Sequence, residues 1–212
     1  MNVDYFVVDV ETANQARHSI CQIGIAFFAG GKMVDGWESL VNPQDEFLEF
    51  NISIHGIGPR TVANAPSWRE VCPKVNALLA RAAVASHTHF DRGALSHACA
   101  RSGIPAVAYA KWIDTCWLAR CAWPDLPNHK LPTLARSFGI AYKAHDALED
   151  ARVAGEVLAL ALKERQMTIG ELLTSQRHHI TGFPQLKAAR GVSTQRTVRE
   201  RTSIRPAADP AR

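Results

Sequence analysis

The alternation of apolar and polar positions opens with a buried-strand pattern at Tyr5 to Val10, rich in Val and aromatic residues. Period-two alternation carries Asp9 and Glu11 to one face at the end of that strand. Two further apolar stretches, Ile20 to Ala29 and Lys32 to Val41, are joined through Gly30-Gly31, a pair that supplies the positive φ angles of a tight hairpin. The N-terminal segment therefore predicts three antiparallel strands.

A polar connection follows Pro43 and includes Asn51 to Gly58, with a short turn or helix at Pro59 to Ala63. Ser67 and Glu70 have capping-box spacing, and Val71, Val75, Leu78 and Leu79 behind them share one helical face. A short buried strand at Ala83 to Ala85, a helix at Phe90 to Arg101 ended by Gly103, and a strand around Trp112 to Asp114 read as a parallel crossover. Short helices are predicted at Thr115 to Ala122 and at Lys130 to Phe138, the latter closed by Gly139. Asp146 caps the last core helix, whose stripe of Val153, Val157, Leu160 and Ala161 runs to about Leu162. A second capping box, Thr168 with Glu171, marks a helix at Ile169 to Leu173. The expected fold is α/β, a mixed five-stranded sheet with three antiparallel strands first, flanked by helices. Residues 1–165 form the expected domain and 166–186 a short helical extension with room for partner docking. Residues 187–212 form a basic tail that reads as disordered.

Composition narrows this little. Hydrophobic residues make up 47% of the 212, enough for one good core. No apolar run approaches a membrane span and no cleavable leader pattern precedes Asp9, so the expected location is cytoplasmic. The five cysteines lack Cys-x-x-Cys spacing and read as reduced core residues. The net charge of +4 is uneven. From Lys187 onward seven Lys/Arg face two acids, which leaves residues 1–186 near −1 and assigns long-range attraction for polyanions to the tail.

The chemistry lies in Asp9-x-Glu11-Thr12, Phe90-Asp91 and His145-x-x-x-x-Asp150. Each has a plain explanation by itself: acids often end strands, and Asp91 and Asp150 sit where an acid caps a helix or complements its dipole. Together, four carboxylates brought to one site repel one another and lose hydration unless cations join them. Two divalent ions about 3.5 to 4 Å apart would satisfy them and promote phosphodiester hydrolysis. Hard oxygen ligands suit Mg²⁺ or Mn²⁺. Structural zinc is disfavoured, because neither His87 with His89 nor the His178-His179 pair has a complementary close-spaced companion. Trp112, Trp117 and Trp123 read as core rather than as a base-stacking platform.

In their joint order these motifs resemble the DnaQ-like 3′-to-5′ exonucleases of the His-type DEDD superfamily, which contains the proofreading subunit of bacterial DNA polymerase III. The resemblance spans about Tyr5 to Leu162 and includes Ser19 to Gly24, Ile54 to Ile57 and Lys130 to Ala135. It implies a ribonuclease H-like fold and a two-ion site. Asp9, Glu11 and Asp150 would hold one ion, Asp9 would bridge to the second, and Asp91 would act through bound water. His145 would be the general base, since an imidazole accepts a proton near neutral pH. Thr12 would position the terminal nucleotide, with His87 and Phe90 also contacting substrate. Two positions depart from the pattern. Ala13-Asn14 stands where many relatives have Thr-Gly, and His87 stands where many have Asn.

The reading is a metal-dependent exonuclease acting on the 3′ end of single-stranded or frayed DNA, releasing nucleoside 5′-monophosphates in repair or proofreading, with a DNA polymerase as a possible partner. The alternatives are a 3′-to-5′ exoribonuclease resembling ribonuclease T or oligoribonuclease, and a noncatalytic polymerase-associated module that binds nucleic acid.

Overall fold

The structure is a computed structural model that describes residues 3–175. The predicted tail and the His178-His179 pair lie outside the described residues. The sheet has five strands in the order β3-β2-β1-β4-β5. β1 (Tyr5–Thr12), β2 (Ile20–Ala29) and β3 (Lys32–Leu40) are antiparallel neighbours, while β4 (Ala83–Ser86) and β5 (Trp112–Asp114) join β1's other edge in parallel. The mixed five-stranded sheet with three antiparallel strands first is thus as expected. Gly30 and Gly31 both have positive φ at the β2–β3 turn.

Helices cover both faces. α2 (Trp68–Leu79) and α3 (Phe90–Arg101) pack on Phe6, Val8 and Val10 of β1. α4 (Thr115–Ala122), α5 (Leu131–Phe138) and α6 (Ala147–Glu164) pack on the opposite face, against Tyr5 and Val7. The parity of β1 therefore decides the site: Tyr5, Val7, Asp9 and Glu11 point to the α6 side, with apolar anchors behind and carboxylates at the end.

One segment differs from its sequence reading. Within the supposed polar connection, Glu49–His55 forms a helix, α1, closed by Gly56 with φ 75°. None of its residues is buried, so it leaves no apolar stripe for periodicity to detect. Its tertiary ties are polar: Asn51 Nδ2 donates to the Thr12 carbonyl at 2.9 Å and His55 Nε2 lies 3.2 Å from the same oxygen. α7 (Ile169–Ser175) has the predicted Thr168–Glu171 box, and it buries Leu172 in the α6-side core. The apolar side of the extension is thus used within the chain.

Four cysteines are buried and Cys121 is half-buried, all as free thiols. Trp112, Trp117 and Trp123 are partly buried against the two cores, away from the carboxylates. No helix among the described residues is long and apolar enough to cross a membrane.

Candidate active site

Strand β1, the start of α3 and the start of α6 converge at one end of the sheet, where a cavity of about 540 Å³ is lined by Asp9, Glu11, Asp91, His145 and Asp150. Asp9 and Glu11 arrive by alternation along β1. Asp91, buried in the first turn of α3, is tied to that strand because its Oδ1 accepts from Val10 N–H at 3.2 Å. A carboxylate that sequence reasoning could treat as a helix cap is therefore spent on joining α3 to β1.

Asp150 is delivered by α6, whose approach depends on two small features of β2. Gly24, paired with Asp9 across the sheet, faces the backbone of Ala147 and Leu148 so closely that a Cβ would lie 2.3 to 2.5 Å from it. Gln22 Oε1 accepts from Ala147 N–H at 3.3 Å, and Asp146 caps the same turn by accepting from Glu149 N–H. Lower on the helix, Gly155 gives room for the Phe28 ring. Gln22 and Gly24 lie in a predicted strand and in a segment that resembles the family; their positioning role needs the tertiary contact to be visible.

His145 precedes α6 in the left-handed region, φ 66°, a conformation in which His is enriched among residues other than glycine. Its N–H donates to Asp150 Oδ1 at 3.2 Å. Ligand-capable atoms of Glu11, His145 and Asp150 all lie within 4.8 Å of one another. His145 is exposed whereas Asp91 and Asp150 are buried, so the imidazole borders solvent above the carboxylates.

The electrostatics follow from crowding. Burial raises Asp9 well above the ordinary carboxylate range, and Asp91, Asp150 and Glu11 add to the effect. Glu11 is pushed up to about 8 by burial and by Asp150 and Asp91. Asp91 is pushed up to about 7 by burial, against the hydrogen bond from Val10. Burial also raises Asp150, while a hydrogen bond from the Tyr142 hydroxyl and the nearby His145 oppose the shift. No lysine or arginine forms a salt bridge with these four acids among the described residues. The donor set is all oxygen plus one imidazole, and its members resist ionising together, which is the environment a pair of hard divalent cations would relieve.

The remaining predicted site residues fall into two groups. Phe90 is partly exposed at the rim of the cavity, with the Arg17 guanidinium 5.5 Å from its ring centroid. Thr12 is buried and its carbonyl is held by α1, and it does not line the cavity. His87 lines the cavity, yet its ring nitrogens face the His129 carbonyl at 2.8 Å and Thr115 Oγ1 at 3.1 Å. Burial lowers the His87 pKa, so the neutral ring donates from Nε2 to the carbonyl and accepts from the hydroxyl. Sequence reasoning missed Tyr142, Arg120 and Lys130, which line the same cavity. Tyr142 stands close to the late His/Asp motif, but nothing in its spacing signals the bond to Asp150.

Comparison with known proteins gives the family and the fold. The profile of the exonuclease family RNase_T matches residues 6–158. The PolC-type DNA polymerase III of Caldanaerobacter subterraneus subsp. tengcongensis is 30% identical over 167 residues, which cover 77% of this chain and 12% of the polymerase. That of Pediococcus pentosaceus is 28% identical, covering 88% and 13%. The chain thus spans about an eighth of the length of these relatives. Among solved structures, Exonuclease X in complex with 5′ overhanging duplex DNA superposes with a TM-score of 0.63 at 22% identity, covering 78% of this chain and 95% of that one. The nuclease domain of 3′hExo, a DEDDh family member bound to rAMP, gives 0.65 at 18%, covering 76% and 93%. E. coli Exonuclease I with a dA16 oligonucleotide gives 0.72 at 16%, covering 84% and 44%.

Proposed function

Because the chain belongs to the RNase_T exonuclease family, we propose that it is a DnaQ-like 3′-to-5′ exonuclease that removes nucleotides from the 3′ end of DNA by divalent-metal-dependent hydrolysis. The observation that carries the proposal is the convergence of Asp9, Glu11, Asp91 and Asp150 on one cavity with every one of them held above its ordinary pKa. A binding-only protein has no chemical need for such a set.

Asp9, Glu11 and Asp150 would hold one ion and Asp9 would share a second, with Asp91 nearby. When bound, Mg²⁺ or Mn²⁺ supplies the Lewis acidity that makes water a nucleophile and stabilises the leaving oxygen. The protein's own part is placement and proton transfer. The ring nitrogen of His145 that faces Glu11 and Asp150 takes a proton from the attacking water. The new P–O bond forms as the bond to the 3′ oxygen of the penultimate nucleotide breaks, releasing a nucleoside 5′-monophosphate. The left-handed backbone at His145 and its N–H bond to Asp150 keep base and ligand in register. Arg120 and Lys130 at the cavity wall meet the phosphate charge, and Phe90 at the rim offers a ring face to a base.

The relatives are PolC-type DNA polymerases III, which favours DNA as substrate, repair or proofreading as the setting, and a polymerase as partner. The test is release of nucleotides from matched 3′-labelled single-stranded DNA and RNA, with Mg²⁺, Mn²⁺ or EDTA, by wild type and Asp9→Ala. Metal-dependent digestion of DNA, lost in the variant, is the expected result. Preferential digestion of RNA would reassign the substrate, and intact substrates with retained binding would overturn catalysis altogether.

A further inference from the structure

Helix α3 does more than deliver Asp91. Its sequence, Phe-Asp-Arg-Gly-Ala-Leu-Ser-His-Ala-Cys-Ala-Arg, contains one acid, and that acid is buried in the site. Arg92, His97 and Arg101 are exposed, so every solvent-facing ionisable group on the helix is basic. Neighbouring elements extend the pattern. At the N-terminal end, the exposed Arg17 from the β1–β2 loop lies over the Phe90 ring, and Gly93 leaves the space its guanidinium occupies. At the C-terminal end, Arg69 of α2 donates to the Ser102 carbonyl and shares a cavity of about 420 Å³ with Arg101. Arg92, half a helical turn round from Arg101, borders the opposite flank of α3, where a cavity of about 650 Å³ is walled by residues 106–109 and Tyr109 lies under its guanidinium.

The acids bordering this surface are already engaged. Asp45 pairs with His18, Asp114 pairs with His89 and caps α4, and Glu70 is spent on the capping box of α2. A cationic strip on a body whose charge sums to about −1 is a local feature, distinct from the basic tail.

Resting on the nuclease reading above, we propose that the flank of α3 carrying Phe90 and Arg101 is a track for the phosphate backbone of the polynucleotide whose 3′ end occupies the catalytic cavity. The track starts at Phe90, on the rim of that cavity, and leads to Arg101 and Arg69. From Phe90 to Arg101 the helix rises about 16 Å, at roughly 1.5 Å per residue. A strand stacked at about 3.4 Å per nucleotide passes roughly five nucleotides over that distance. Arginine forks and imidazole N–H groups read phosphate oxygens without reading base or sugar, so the track is indifferent to sequence.

The test compares equilibrium binding of the full chain in EDTA, where no turnover occurs, to fluorescent dinucleotides and to twelve-residue single strands of DNA and of RNA. Wild type and R69Q/R101Q are measured across salt concentrations, with R81Q/R136Q, two exposed arginines elsewhere, as the control for loss of charge alone. The R69Q/R101Q variant should bind the long strands on the order of tenfold more weakly near 0.1 M salt, with a slope against log salt reduced by about 1.4 for two lost contacts. The control should match wild type. Equal affinities and slopes for wild type and R69Q/R101Q would overturn the track, as would a loss confined to DNA or to RNA, or a loss equally large for the dinucleotide. Hydrolysis of a dinucleotide by wild type with Mg²⁺ is followed separately, so a failure of the catalytic reading is not mistaken for a failure of the track.

Discussion

Gly24→Ala probes how closely the sheet and α6 must meet for the site to exist. The added Cβ would lie 2.3 Å from Leu148 N and 2.4 and 2.5 Å from the carbonyl carbon and oxygen of Ala147. These are backbone atoms, so no side-chain rotation relieves the overlap, and ordinary contact is restored only by a displacement of about 1 Å, the kind of core overpacking that typically costs about 1–3 kcal/mol. The displaced segment is the first turn of α6. It carries Asp150, is preceded by His145, and is held to β2 by Gln22 through Ala147 N–H. A misplacement of about 1 Å in a catalytic group is enough for a loss on the order of 10²-fold in turnover. Gly155→Ala is the matched control, since its Cβ would meet the Phe28 ring at 2.2 to 2.9 Å on the same helix but five residues beyond Asp150. Urea unfolding and release of 3′-labelled nucleotide with Mg²⁺ are measured on both variants. Both should lose comparable stability, with the larger loss of activity in Gly24→Ala. Wild-type turnover by Gly24→Ala, or a deeper catalytic defect in Gly155→Ala, would refute the placement of Asp150 and His145 by this contact.

Three further outcomes follow from the site. Without metal, the raised pKa values of Glu11 (about 8) and Asp91 (about 7) mean that the folded chain holds protons which the unfolded chain releases near pH 4, so stability falls as pH rises toward about 8. His55 and His87, lowered by burial, act in the opposite sense below about pH 6.5, so the decline is read between about 6.5 and 8. Urea midpoints in EDTA should drop across that window and recover with saturating Mg²⁺; a flat curve in EDTA would contradict the crowding. His145→Asn keeps a residue tolerant of the left-handed backbone but removes the base, so kcat should fall by about 10²–10⁴-fold with stability within about 0.5 kcal/mol. Retained kcat would assign the proton transfer elsewhere. Arg120→Gln with Lys130→Gln should raise KM more than it lowers kcat, and the defect should shrink in high salt, as rim charges do.

The fold was legible where side-chain burial repeats with a period. The alternation along β1, the Gly30-Gly31 turn, the capping boxes at Ser67 and Thr168 and the stripe on α6 each name their element locally. α1 was not legible, because it buries nothing and is held by two polar contacts to one carbonyl. The carboxylates were legible as a set only through their order along the chain, since each alone has a structural use. Gln22, Gly24 and Tyr142 stayed hidden for a different reason. Their roles are defined by partners 120 or more residues away for Gln22 and Gly24, and for Tyr142 by a loop conformation that no periodicity encodes.

The two departures from the family pattern now have one physical explanation in common. Asn14, where a glycine is usual, has Nδ2 donating to the Glu46 carbonyl at 2.7 Å and Oδ1 accepting from Ala16 N–H at 2.8 Å. That fixes the turn after β1 and fastens it to the segment leading into α1. His87, where an asparagine is usual, bridges the His129 carbonyl and Thr115, fastening the end of β4 to α4 and to the segment leading into α5. Asn14 is bonded to backbone groups, and His87 to a backbone carbonyl and a hydroxyl, so in both places a side chain ties neighbouring segments together. Neither is bonded to the carboxylates, so both departures leave the candidate donor set in place. Groups held in position before binding lose less entropy when they bind, and His87, at the cavity wall, is held on both ring nitrogens.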